Sequence, residues 1–371
     1  MHSQTMQRRG PAVGRISGID AARALAIIGM VMVHFGPAVS GPVPLVRLYR
    51  LSHGRAVLLF VLLAGVGVSL LAGDRSSARR RNVWMRLAFR AAVLLPLGLA
   101  LQLLAGDVAL VILQYYALLF VVAASAVALS DRALLGGAVA AAILAPVLYL
   151  AAWHWQPDWF AAHTADFTDP PLMIAQNLLL TGPYPVLTYT APLLFGMWLG
   201  RQDLRLPVVR WRMVIVGSVV AVIAWGVSRG FIAWLGIPET RPTWLQLVLD
   251  DPHSQMPLWL IGSMGSAAAV LGLALVAVDR WPRITWPLVA MGQLALTIYI
   301  GHLVALALWP WLFIRGDFFP AMISVIRFSI VAAFASVVWR RFFSRGPLEA
   351  TLRLPWSWGL RKKVPERSGS C

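Results

Sequence analysis

Apolar runs of roughly 17–24 residues, each long enough to cross a hydrocarbon core of about 30 Å, recur from one end of this chain to the other. Backbone groups in lipid find no water to bond, so runs of this length predict helices. The pattern predicts ten, at roughly 19–39, 56–72, 87–104, 108–129, 133–155, 183–200, 212–235, 256–278, 286–309 and 319–339. Two stretches depart from it. Leu172 to Leu180 is apolar but too short to cross, and it meets Thr181-Gly-Pro-Tyr-Pro-Val186, whose prolines forbid a continuous helix. A broken or re-entrant element is expected there, covered by protein or lining a wet cavity. Trp244 to Leu249 reads as a short helix lying on the outer interface. The chain is therefore predicted to be all-α. It is a polytopic integral membrane bundle with one transmembrane domain, 19–345, between a basic segment, 1–18, and a polar tail, 346–371.

Composition agrees. The chain is 59% hydrophobic and 13% charged, against about 45–50% and about 25% in soluble proteins. A soluble Rossmann enzyme, a secreted disulfide scaffold and a disordered chain are excluded. The net charge of +17 raises nucleic acid as a partner, but every basic residue except Lys362 and Lys363 is an arginine, clustered between apolar runs. Membrane topology accounts for such clusters, so the expected partner is the lipid bilayer and not nucleic acid. With the N-terminus inside, only Arg47, Arg50, Arg55, Arg229, Arg241, Arg315 and Arg327 fall outside the inner segments. Both termini are thus expected on the cytoplasmic side of a plasma (inner) membrane. The first run lacks an Ala-x-Ala exit and reads as a retained span rather than a signal peptide. The single Cys371 can form no internal disulfide and no paired-Cys metal site. No Walker loop, GxGxxG turn, Gly-x-Ser-x-Gly elbow or metal-ligand spacing occurs, so neither a metal nor a tightly bound cofactor is expected.

That orientation sorts the histidines. Of the seven, all but His2 fall in the outer half. His34 ends the first span and His53 precedes the second. His302 is about sixteen residues into the ninth span, roughly 24 Å from the inner face. His154, His163 and His253 lie in or beside outer loops, where histidines are ordinary. His34 and His302 sit inside apolar helices, where ionisable residues are usually functional or paired. Imidazoles facing one outer cavity suit general-base or nucleophilic work, so His34, His53 and His302 are the catalytic candidates.

The polar residues offer further chemistry. Ser17 and Asp20 have the spacing of a helix N-cap and its third residue, and Asp20 and Arg23 can pair on one face. That anchors the first helix at the inner interface, or Arg23 helps hold an anionic donor. Arg79, Arg80, Arg81, Arg86 and Arg90 form the densest basic patch. It either attracts lipid head groups or clamps the phosphates of a nucleotide-bearing donor such as coenzyme A. Arg327, a third of the way into the last span, needs a buried partner, with Gln102, Gln114, Tyr115, Tyr116 and Asn177 as candidates and Asp107 and Asp317, at the outer ends, also able to serve. Gln114, Tyr115 and Tyr116 also present uncharged donors for an oxyanion. Gly65-Val-Gly67 reads as a site of close helix approach.

Several stretches resemble a known family. Arg15-Ile-Ser-Gly-Ile-Asp-Ala-Ala-Arg23, followed by a helix ending Met32-Val-His34, resembles the opening of transmembrane acyltransferases, most of all bacterial relatives of heparan-alpha-glucosaminide N-acetyltransferase. Ser52-His-Gly-Arg-Ala56, running into Leu59-Phe-Val-Leu-Leu-Ala-Gly65, resembles that family's first outer loop and second span. Thr181-Gly-Pro-Tyr-Pro-Val-Leu187, ending in Gly196 and Gly200-Arg201, is similar to a pattern of its bacterial members. Arg345-Gly-Pro-Leu-Glu349 is similar to the closing motif of a YeiB-like subgroup. Asp20, Arg55, Gly182, Tyr184, Pro185 and Glu349 are the motif positions so marked.

The resemblance implies a protein of ten or eleven helices that moves an acetyl group from cytoplasmic acetyl-CoA, or another acyl-CoA, to an acceptor across the membrane. The donor is a substrate, not a resident cofactor. A histidine near the first outer loop, His34 or His53, would act as base or be acetylated transiently, and a histidine ending the first span in broader acyltransferases favours His34. The acceptor is left open among a sugar, a lipid, a peptidoglycan component and a small metabolite, and so is a homodimer. The rival expectation is a transporter or exporter of a small solute or lipid-linked compound, motivated by the break near Thr181 and by Arg327.

Overall fold

The computed structural model describes residues 15–36, 41–73, 77–160, 164–236, 243–314 and 316–352, without the side chains of 77–79. The side chain of Arg79, with His163, Arg241, Arg315 and the greater part of segments 1–18 and 346–371, lies outside the described residues. Each predicted apolar run contains a helix. In chain order these are α1 (Ser17–Phe35), α2 (Val43–Arg50), α3 (Arg55–Ala72), α4 (Ser77–Ala105), α5 (Leu113–Ala126), α6 (Asp131–Trp155), α7 (Pro171–Gln176) and α8 (Val186–Leu199). There follow α9 (Pro207–Leu235), α10 (Pro257–Arg280), α11 (Pro282–Gln293), α12 (Ala295–Leu308), α13 (Pro310–Phe313), α14 (Phe318–Phe342) and α15 (Pro347–Thr351). Trp244–Val248 is a single 3-10 turn.

Among the described residues, seven helices are long and apolar enough to cross a membrane, with Val43–Ala72 counted once, and nine if each of two bent pairs is one span. The run predicted at 108–129 yields only the 14 residues of α5, short of the about 20 that a bilayer requires. One bent pair lies where the prolines predict it. α7 passes into a π-helical turn, Asn177–Thr181, and α8 restarts at an angle of 53°. The other is a correction to the sequence reading. The run 286–309, expected to be one span, breaks at Leu294 into α11 and α12, which meet at 71°.

α1 is the central column, buried against α3, α10, α11, α12 and α14. α3 and α8 meet backbone to backbone. A Cβ on Gly65 would strike the Leu193 carbonyl, and one on Gly196 would strike that of Leu62. Small residues allow such close packing where lipid supplies no hydrophobic drive between helices. The periphery is apolar: α14 buries only Phe318, Ala321, Val325 and Ser336, and turns Ile323, Ile326, Ile330 and Phe334 outward. Such a surface fits hydrocarbon rather than water.

Arg327 lies on that outward face. It follows the buried Val325 by two residues, a rotation of about 200° around the helix. The expected buried guanidinium is therefore an exposed one, and of its candidate partners Gln102, Tyr115, Tyr116 and Asn177 are bonded elsewhere. Gln102, for instance, donates to Gly106 O and accepts from Val111 N, both at 2.9 Å.

Candidate functional site

The last turn of α1 carries His34, and α12 carries His302 about two turns beyond its start. Helix packing brings them together: His34 Nδ1 lies 3.0 Å from His302 Nε2, with the rings stacked at 5.3 Å. The proton positions follow from the third partner. His302 Nδ1 faces Ile298 O at 3.4 Å, and a carbonyl can only accept. A neutral His302 therefore carries its proton on Nδ1 and accepts at Nε2. His34 must then donate from Nδ1, which leaves the lone pair on His34 Nε2. His302 is fully buried and His34 half-buried. His34 is thus an imidazole whose tautomer is set by its neighbour, an arrangement that suits general-base chemistry.

α12 is held at its start by Glu349. The carboxylate accepts from Leu296 N at 2.7 Å, Thr297 N at 3.1 Å and Thr297 Oγ1 at 2.7 Å. These N–H groups are the ones a helix N-terminus leaves unpaired, and an anion there suits the positive end of the helix dipole. This is the physical reason that 286–309 can break at Leu294: a residue some fifty positions away caps the restarted helix.

A second pair of imidazoles adjoins the first. His53, in the turn between α2 and α3, lies 6.5 Å from His253, and Tyr184 lies 6.4 Å from His253 on another side. His253 is near enough to His34 for the two to interact electrostatically. Burial, with His53 beside it, pushes the His253 imidazole down to about 4, so it is neutral at pH 7. His253 and Gln255 have φ of 61° and 60°, a left-handed conformation uncommon in side-chain-bearing residues and concentrated at functional sites. The loop that holds them is pinned by Arg55 to Asp250 at 3.4 Å and by Gln255 Nε2 donating to Pro183 O at 2.9 Å. Burial raises the Asp250 carboxyl above its ordinary value, and Arg55 only partly offsets this. Sequence reasoning left His253 and Asp250 aside. Both sit in an irregular loop, and no local pattern marks either.

Tyr115 and Tyr116, expected as oxyanion donors, have their hydroxyl protons committed elsewhere. Tyr115 donates to Asn177 Oδ1 at 2.7 Å, and Tyr116 donates to Phe60 O. Gln114 is fully buried against Gly98 of α4, with neither amide atom bonded. The Tyr115–Asn177 bond packs on Gly182, and Tyr184 stacks edgewise on Tyr115 at 5.7 Å. The motif 181–187 is thus the joint that carries Tyr184 to His253, with Pro185 as the residue before α8.

The opposite end of the bundle is basic. Asp20, buried, holds Arg15 and Arg23, each with a contact of 2.9 Å. Beside them is a cleft of about 680 Å³ whose walls include Arg15, Arg205, Arg210 and Asp279. Arg80 and Arg81 are exposed and Arg86 is half-buried, and none of the three lines this cleft. Asp20 and His34 are fourteen residues apart on α1, so about 21 Å separates the two ends.

Residues 15–210, more than half of the chain, match the family described as heparan-alpha-glucosaminide N-acetyltransferase, catalytic. The chain belongs to that family. Residues 204–359 match a family described as protein of unknown function (DUF418). Comparison with curated proteins finds none that matches. The acetyltransferase-family half supplies His34, His53 and Tyr184, while His253, His302 and Glu349 come from the other half. Both halves of this multi-pass membrane acetyltransferase relative therefore meet at one histidine cluster.

Proposed function

We propose that this protein is a membrane-embedded acetyltransferase that takes acetyl from acetyl-CoA, with His34 as general base and His302 as the residue that orients it. The observation that carries this reading is the 3.0 Å contact between His34 Nδ1 and His302 Nε2, which leaves a lone pair on His34 Nε2. Family membership supplies the reaction class, and the family's name, a glucosaminide N-acetyltransferase, makes an amino sugar the first acceptor to try. The basic cleft at the far end offers Arg15, Arg205 and Arg210 to the donor's phosphates. On this reading the donor enters from the cytoplasm and its thioester reaches along α1 toward His34.

The test is transfer of radiolabelled acetyl from acetyl-CoA to glucosamine by the purified protein in detergent. Wild type should label the amine and His34→Ala should not. A folded His34→Ala protein that transfers at the wild-type rate removes His34 from the mechanism.

A second reading has one observation in its favour. Each half of the chain contains a discontinuous helix, at Thr181–Val186 and at Leu294, and paired breaks are a feature of solute pathways. Uptake of an anionic solute into proteoliposomes, indifferent to His34→Ala, would favour transport over transfer.

A further inference from the structure

Near the segments that carry His53 and His253 are buried polar groups with nothing to bond. Trp259, in the first turn of α10, and Ser263, four residues on and so on the same helix face, are both fully buried. Neither Trp259 Nε1 nor Ser263 Oγ has a hydrogen-bond partner. The hydroxyl of Tyr189, fully buried in the first turn of α8, is also unpartnered. Trp259 adjoins the histidine site. Gly54, with φ +70°, lets the chain pass so close that a Cβ there would lie 2.6 Å from the Trp259 ring and 3.3 Å from His253 N. Tyr189 packs on Tyr184 at a ring distance of 5.7 Å, and Tyr184 in turn lies 6.4 Å from His253.

Buried donors without partners are rare in folded proteins, and each is destabilising unless something bonds to it. Trp259 is the informative member, because an indole N–H only donates. Whatever satisfies it must present an acceptor, which in this chemistry is an oxygen. The expected donors Tyr115 and Tyr116 are unavailable for that oxygen, since their protons are bonded to Asn177 and Phe60.

We propose that Trp259, with Ser263 and Tyr189, receives the acyl carbonyl oxygen during transfer; this rests on the acetyltransferase reading. The acceptor nitrogen adds to the thioester carbonyl carbon, and the carbonyl π pair moves onto oxygen. That oxyanion accepts the Trp259 N–H bond. His34 Nε2 takes the proton lost by the nitrogen. Collapse of the intermediate restores the C=O bond and breaks the C–S bond, and the departing thiolate takes the proton from His34. Donors placed where charge develops act most strongly in a site that excludes water.

The experiment uses the full chain in detergent, with acetyl-CoA and glucosamine, following release of the coenzyme A thiol and, separately, the thermal midpoint without ligand. Trp259→Phe keeps an aromatic ring at the position and removes the pyrrole with its donor. The expected result is a kcat lowered about 10²-fold and an unchanged KM for acetyl-CoA, in a protein whose thermal transition shows that it is still folded. Wild-type kcat in the folded variant overturns the proposal whatever the midpoint, because the indole N–H then does nothing for the transfer. If Trp259→Phe does not fold, Tyr189→Phe and Ser263→Ala decide it, and wild-type kcat in both overturns it. Absence of thiol release from wild type itself defeats the acetyltransferase reading and this proposal together, which separates that failure from the others.

Discussion

Replacing His302 with Phe removes the acceptor for His34 Nδ1 while keeping a ring of similar size against Tyr299, 5.2 Å away, and Phe328, 6.3 Å away. The 3.0 Å bond is worth about 0.5–1.5 kcal/mol net, and a donor left unsatisfied in a buried setting costs about 1–3 kcal/mol. His34 escapes that penalty by moving its proton from Nδ1 to Nε2, which is the nitrogen the base must keep free. A lost preference of about 1.4–2.8 kcal/mol lowers the productive tautomer by about ten- to a hundredfold, at about 1.4 kcal/mol per factor of ten. The rate of acetyl transfer to glucosamine should fall by the same factor in His302→Phe. His302→Gln, which can present an amide oxygen, should recover most of it. Comparison of the two variants by labelled-acetyl transfer, with folding checked by thermal midpoint, tests the argument. A folded His302→Phe protein with the wild-type rate refutes it, because the tautomer of His34 would then owe nothing to His302.

Three other outcomes are expected. His253 in the folded chain titrates at about 4, below its ordinary 6.5, so the unfolded chain binds more protons between those values. Stability should therefore fall as pH drops through 6.5 toward 4 and be insensitive to this group above that window. Unfolding midpoints at stepped pH should show a shallower fall in His253→Asn, and the raised Asp250 carboxyl, which acts in the opposite sense at lower pH, is common to both proteins. Gly196→Val forces α8 off Leu62 of α3 and should destabilise by about 1–3 kcal/mol or more, read as loss of monodisperse protein in size-exclusion chromatography. Glu349→Ala deletes the cap of α12 and should cost about 0.5–2 kcal/mol, seen as a lower thermal midpoint, and an unchanged midpoint would show that the break at Leu294 needs no cap.

Much of the molecule was legible in the one-dimensional pattern. Apolar runs had to be helices because lipid offers the backbone no partner, and the prolines at 183 and 185 announced the break before α8. The break at Leu294 was not legible. Its local sequence is a continuous apolar run, and what allows the restart is a carboxylate at position 349. Arg327 was misjudged for a related reason. A helix's apolar run tells that it crosses, but when both faces are apolar it does not tell which one the bundle covers.

His34 and His302 stood out in the sequence as single ionisable groups in apolar helices, and that alone marked them as candidates. Their pairing spans 268 positions and exists only because α12 packs beside α1 with its start capped by Glu349. That these two were candidates was thus local information: a polar side chain in lipid is anomalous wherever the helix docks. Which nitrogen bears the lone pair, that His253 joins the cluster, and that Trp259 rather than Tyr115 or Tyr116 has an unspent donor were decided by tertiary structure. Hydrogen bonds are set by distance in space, and no spacing along the chain encodes which partners a buried group will meet.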